Sequence, residues 1–115
     1  MNVPIQCTDS ASITVQELSD LLVVKPYLNL IDCREEDEFK YAHIDKSVNV
    51  PQSRFEQFDF SVMQNNLPVY IISHLEGQAK RACKYLSAKG FFSVMYVAGG
   101  LDAWSIYVNK KIPRY

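Results

Sequence analysis

Val69-Tyr70-Ile71-Ile72 runs without interruption into Ser73-His74-Leu75-Glu76-Gly77-Gln78, and from about Gln78 a helical pattern continues to Gly90. The first four residues are β-branched or aromatic, the composition of a strand covered on both faces, as in parallel sheets. Ala79, Ala82, Cys83 and Leu86 recur on one helix face, and Gly90 stands just past the helix end, where glycine is favoured. A buried strand, a tight loop and a helix in this order aim several backbone N–H groups and the positive end of a helix dipole at one spot. That is an anion cradle, and its first residue stands where a nucleophile would.

The flanking sequence supplies the rest of a layered fold. Thr14 is a good N-cap, Glu17 completes a capping box, and Ile13 with Leu18 can form a hydrophobic staple. Val15, Leu18, Leu21 and Leu22 follow at helical spacing, and Pro26 ends the segment. Leu28 to Asp32 and Val48-Asn49-Val50 read as short strands, the second stopped by Pro51. Between them, Glu35 to Tyr41 reads as a short acidic helix. Ser53 and Glu56 repeat the capping-box spacing, with Phe55 and Phe58 giving a brief helix its apolar face. Val94-Met95-Tyr96-Val97 is a further strand, Gly99-Gly100 turns the chain, and Leu101, Trp104 and Val108 lie along a final helix. Alternating strands and helices with short connections predict an α/β fold, with a mostly parallel central sheet flanked by helices on both faces.

A chain of 115 residues fits one domain, here taken as 1–115, with enough length for a real core. Hydrophobic residues at 48% and charged residues at 22% argue against disorder or a fibrous repeat. A net charge of −1 gives no sign of the basic face that nucleic acid requires. No run approaches the roughly 20 apolar residues that span a bilayer. Met1 to Gln6 lacks the charged-then-apolar pattern of a secretory signal. Cys7, Cys33 and Cys83 are odd in number and widely spaced, which disfavours a disulfide framework. No Cys/His pair has zinc-ligand spacing. The expectation is a cytoplasmic domain with no metal, no cofactor, and neither nucleic acid nor membrane as partner.

Leu30-Ile31-Asp32-Cys33-Arg34-Glu35-Glu36-Asp37-Glu38-Phe39, then Ala42-His43-Ile44, then Val48-Asn49-Val50-Pro51, resembles the rhodanese-like domain family. That family typically carries D-x-R, an E-F or E-Y pair, G-H-I and N-I-P. Val97-Ala98-Gly99-Gly100-Leu101-Asp102-Ala103-Trp104 resembles its G-G-x-x-A-W ending, so the resemblance runs from about Ile13 to Trp104. It implies a single small domain whose active members transfer sulfane sulfur. They use a cysteine at the end of the central strand, which becomes a persulfide inside an amide-lined loop. It further implies that Asp32 and Arg34 brace neighbouring loops and that His43 makes a structural hydrogen bond.

Counting back without a gap from Ala82-Cys83-Lys84-Tyr85-Leu86 puts Ser73 at the cysteine position. Active loops of the family often read C-x-x-G-x-R-S. Here the glycine is shifted by one, Gln78 stands where arginine is common, and Ala79 replaces serine. A serine hydroxyl neither ionises near neutral pH nor carries a labile sulfur. Ser73, His74, Leu75, Glu76, Gly77, Gln78 and Ala79 are therefore read as a degenerate, anion-binding loop with no catalytic residue. A hydrolytic Ser73–His74 pair lacks the G-x-S-x-G elbow, and adjacent residues at a strand end rarely face each other. Glu76 is expected to oppose an anion on the loop. The functional expectation is a binding or regulatory module acting on an unknown protein partner or a weakly held small anion. The alternative is a thiosulfate sulfurtransferase using Cys33 or Cys83. Cys33 lies beside Arg34, and a nearby guanidinium lowers a thiol pKa.

Overall fold

Thr14 caps the first helix as the sequence predicts. Its Oγ1 accepts from the Glu17 N–H at 3.1 Å, while Glu17 Oε1 accepts from the Thr14 N–H at 2.9 Å, a closed capping box. The computed structural model describes residues 11–25, 28–63, 67–91 and 93–115. Pro26 and Cys7, singled out above, lie outside the described residues.

Five strands, Ala11–Ile13 (β1), Asn29–Asp32 (β2), Val48–Asn49 (β3), Val69–Ile72 (β4) and Val94–Val97 (β5), form one sheet in the order β1-β5-β4-β2-β3. Every pairing is parallel. Among the described residues, three α-helices connect them, Val15–Val24 (α1), Glu36–Tyr41 (α2) and Gly77–Ala88 (α3), and a fourth, Gly100–Tyr107 (α4), follows β5. Two short 3₁₀ helices, Gln52–Gln57 and Phe60–Val62, fill the connection from β3 to β4.

Alternation along the central strands divides the core in two. Val69 and Ile71 pack with Ile31, Ala79, Cys83 and Leu86 beneath α3. Tyr70 and Ile72 pack with Leu30, Leu18, Leu101 and Trp104 beneath α1 and α4. All four residues of β4 are buried, which is why that segment reads as an unbroken apolar run. Burying a Leu or Ile of this kind stabilises the fold by about 1.5–3 kcal/mol.

Two local readings change. The strand β1 is only three residues long and ends on Ile13, so the residue read as a staple is also the last rung of an edge strand paired with Val97. The proposed Ser53–Glu56 capping box does not form. The 3₁₀ helix begins earlier, after Pro51, and Ser53 turns outward: its hydroxyl donates to Glu35 Oε1 at 2.7 Å and its N–H to Glu35 Oε2 at 3.2 Å. A carboxylate accepting two donors outcompetes a marginal cap on a six-residue 3₁₀ segment.

Candidate functional site

Because the sheet is parallel, the carboxyl ends of β2, β4 and β5 share one edge, where α/β sheets bind ligands. Ser73 leaves β4 there and is 1% exposed. Its Oγ accepts from the Ala79 N–H at 3.2 Å, so the hydroxyl forms the floor of the loop and meets the first turn of α3. Above that floor the loop opens to solvent. Leu75 is 56% exposed, and Gly77 and Gln78 are exposed too. Among the described residues, the N–H groups of Leu75, Glu76, Gly77 and Gln78 meet no acceptor. An exposed run of free amides at a helix start is what a small anion requires.

The other side of the loop is tied to α4. The Leu101 N–H donates to the Ser73 carbonyl at 2.8 Å, and the Asp102 N–H to the His74 carbonyl at 3.2 Å. This approach needs Gly100, at φ +62°: a methyl group there would overlap the carbonyl oxygens of Ser73, His74 and Leu75. Glu76 folds toward the same turn. Its Oε2 accepts from the Gly99 N–H at 2.8 Å, and its Oε1 pairs with Lys80 at 3.3 Å. Its charge is thus partly answered within the protein. Arg81 reaches back along α3, with Nη1 3.9 Å from the place a methyl on Gly77 would take.

Asp32 and Arg34 form a buried pair next to this loop, 0% and 1% exposed. Arg34 Nε donates to Asp32 Oδ1 at 3.0 Å and Nη2 to Oδ2 at 2.8 Å. Nη2 also donates to the Ala42 carbonyl at 2.6 Å, and Nη1 to the Glu38 carbonyl at 3.3 Å and the Tyr115 hydroxyl at 3.1 Å. Burial works against the guanidinium charge, but the hydrogen bonds to Asp32 and Tyr115 carry its pKa above the ordinary arginine value. A buried pair is tolerable when every donor is used in this way. His43 donates from Nδ1 to the Phe39 carbonyl at 2.7 Å and stacks on the Phe39 ring.

The two described cysteines lie away from the loop's surface. Cys33 and Cys83 are both 0% exposed in the α3-side core. Burial, then the Asp32 charge, pushes the Cys33 thiol up to about 12, and the neighbouring Arg34 offsets little of this. A thiol in that state is not a nucleophile at neutral pH. Among the described residues, no three His, Cys, Asp or Glu side chains are grouped to hold a metal ion, and no helix is long and apolar enough to cross a membrane.

Two residues at the site escaped the sequence reading as functional elements. Asn49 Nδ2 donates to the carbonyls of Asp32 and Arg34, at 3.0 and 2.9 Å, and so clamps the turn that carries Arg34. Its place before Val50-Pro51 was the available signal. Tyr115, which lies on both Arg34 and His74, carried none.

The fold and the site edge define a parallel α/β domain with a strand–loop–helix opening at the carboxyl edge of the sheet. The rhodanese-like domain model matches residues 14–107, and the chain belongs to the rhodanese-like domain family. An adenylyltransferase and sulfurtransferase of Zea mays is 31% identical over 114 residues, covering 93% of this chain and 24% of that protein. One from Candida albicans is 30% identical over 95 residues, covering 75% and 21%. The crystal structure of a thiosulfate sulfurtransferase from Pseudomonas aeruginosa superposes with a TM-score of 0.74 at 32% identity, covering 84% of this chain and 18% of that one. A rhodanese-like domain from Anabaena shares the fold with a TM-score of 0.78 at 21% identity, covering 87% and 76%. The chain spans about a quarter of the length of the first curated relatives it matches. It is homologous to sulfurtransferases.

Proposed function

We propose that this chain is a rhodanese-like binding module without sulfurtransferase activity, a single cytoplasmic domain in which Ser73 stands at the persulfide cysteine position. Residues 73–79 form a weak anion-binding loop, and Asp32 with Arg34 braces the neighbouring turn around α2 through the Glu38 and Ala42 carbonyls. The observation that carries this reading is the Ser73 side chain itself. It is buried at the end of the central strand, with its Oγ held by the Ala79 N–H. Sulfur transfer needs a polarisable thiolate at that point, able to take one sulfur from thiosulfate as sulfite leaves and then pass it on. An oxygen nucleophile with an alcohol's pKa offers neither step. The free amides of residues 75–78 support retained recognition of a negative group.

The alternative through Cys33 or Cys83 lacks an accessible thiolate, since both sulfurs are fully buried and Cys33 is held protonated. Thiosulfate–cyanide turnover together with intact-protein mass after thiosulfate treatment separates the two readings. No thiocyanate and no added sulfur are expected. Turnover by the natural chain that disappears in Cys33→Ser or Cys83→Ser would overturn the proposal.

A further inference from the structure

Arg114 and Tyr115 cross the carboxyl edge of the sheet as a strap. Arg114 is anchored on α4, with Nε 2.8 Å from Asp102 Oδ1 and Nη2 3.3 Å from Oδ2. The same Asp102 holds the loop through its N–H on the His74 carbonyl. Tyr115 then spans to the opposite side. Its ring lies on the His74 imidazole, with centroids 4.1 Å apart and planes tilted 41°, while its hydroxyl accepts from Arg34 Nη1 at 3.1 Å. Beneath that ring, His74 Nδ1 is buried and has no hydrogen-bond partner.

We infer that Tyr115 is an internal occupant of the loop's approach, covering His74 and holding the outward donor of Arg34, so that an anionic ligand must displace it. This inference rests on the anion-binding reading of residues 73–79. Three features make the strap suited to opening. An unpartnered buried imidazole nitrogen gains hydration once the ring moves away. The Arg114–Asp102 anchor is exposed on the arginine side, where ion pairs are weak. The Tyr115 hydroxyl, which also faces the Glu38 carboxylate, is a neutral acceptor on a cationic donor, a bond weaker than the one an anion's oxygen makes with the same guanidinium. Closed, the strap lowers apparent affinity by the fraction of molecules it keeps covered. Open, it adds His74 and Arg34 to the free amides of the loop.

Two readouts test this independently. Diethyl pyrocarbonate reports His74 accessibility without any ligand, with His43, the only other histidine, as the internal control. Inorganic phosphate, titrated while the amides of residues 74–79 are followed by NMR, reports the anion site. Tyr115→Ala should raise the His74 modification rate and tighten phosphate, each about fivefold if the strap covers some 80% of molecules. The His43 rate should stay constant. Tyr115→Phe keeps the ring, so His74 should remain protected while phosphate tightens in part, and Arg114→Ala should act in the same direction as Tyr115→Ala with smaller effect. An unchanged His74 rate in Tyr115→Ala overturns the strap. A raised rate with phosphate bound equally by both proteins overturns the competition. A raised rate with phosphate bound by neither protein supports the strap as a cover of His74 and overturns the anion reading of the loop instead.

Discussion

The Ser73 hydroxyl accepts from Ala79 N–H at 3.2 Å at the floor of an otherwise open loop, so a thiol introduced there would meet the same amide and the same helix start. Ser73→Cys is therefore expected to give a thiolate below the ordinary cysteine pKa, because amide donors and a helix N-terminus favour the charged form. Sulfur loading from thiosulfate should still be slow, since Gln78 supplies no charge for the departing sulfite. Adding Gln78→Arg should speed loading by about tenfold or more, as a charge-assisted hydrogen bond contributes about 1.5–3 kcal/mol. Single-turnover mass spectrometry of the two variants checks this, and equal rates would remove Gln78 from the explanation. Cys33 makes a second residue-scale prediction. Its folded pKa is raised to about 12 from an ordinary 9.0, so the neutral thiol is the form that the fold stabilises. The resulting stability is fully present below about pH 9 and is lost as pH rises from there toward 12. Urea denaturation of the natural chain should show this alkaline loss, and Cys33→Ala should show a shallower one. Equal slopes would mean that the thiol does not titrate in that range.

Among the elements, α4 is the one whose start sets the site, because its first amides hold the loop carbonyls. Gly100→Ala forces a methyl into three carbonyl oxygens at a left-handed φ, so both loop and helix must move. The expected cost is about 2–4 kcal/mol, read by thermal or urea denaturation, and the loop amides should shift in NMR spectra. Thr14→Ala, at the other end of the fold, should cost about 1 kcal/mol by opening the capping box and should leave the loop spectrum unchanged. The contrast explains what could be read in the chain. Thr14–Glu17, the apolar run of β4 and the glycine at Gly90 are local signals, and each element stands where they place it, within a residue or two. Ser73 and the loop were legible because strand, loop and helix are contiguous. Strand β1 was not, since three residues with one buried side chain carry no period. The turn of Ser53 onto Glu35 depends on a contact 18 residues away, and that of Tyr115 onto Arg34 on one 81 residues away. No local pattern encodes either.

At the scale of the whole molecule, the parallel sheet brings the starts of α3 and α4 to one edge of a chain whose net charge is only −1. The two helix starts are used differently. The α4 amides of Leu101 and Asp102 are spent on the loop's own carbonyls, whereas the first α3 amides, those of Gly77 and Gln78, remain open among the described residues. An anion at α3 meets the Glu76 carboxylate, already engaged by Gly99 N–H and Lys80. Electrostatic contributions at such half-exposed positions are about 0.3–1 kcal/mol each, and salt screens them. Binding of phosphate is thus expected in the millimolar range, where about 4 kcal/mol is available. Glu76→Gln removes the opposing charge but keeps an amide oxygen for Gly99 N–H, so the turn should hold its shape. It should tighten phosphate by about two- to fivefold, less at high salt, the range that 0.5–1 kcal/mol allows. The measurement is a salt-matched NMR titration of amides 74–79 in the natural chain and the variant. Unmoved amides would show that the loop has no anion site. Moved amides with equal affinity in both proteins would show that the Gly99 and Lys80 contacts already neutralise Glu76 completely.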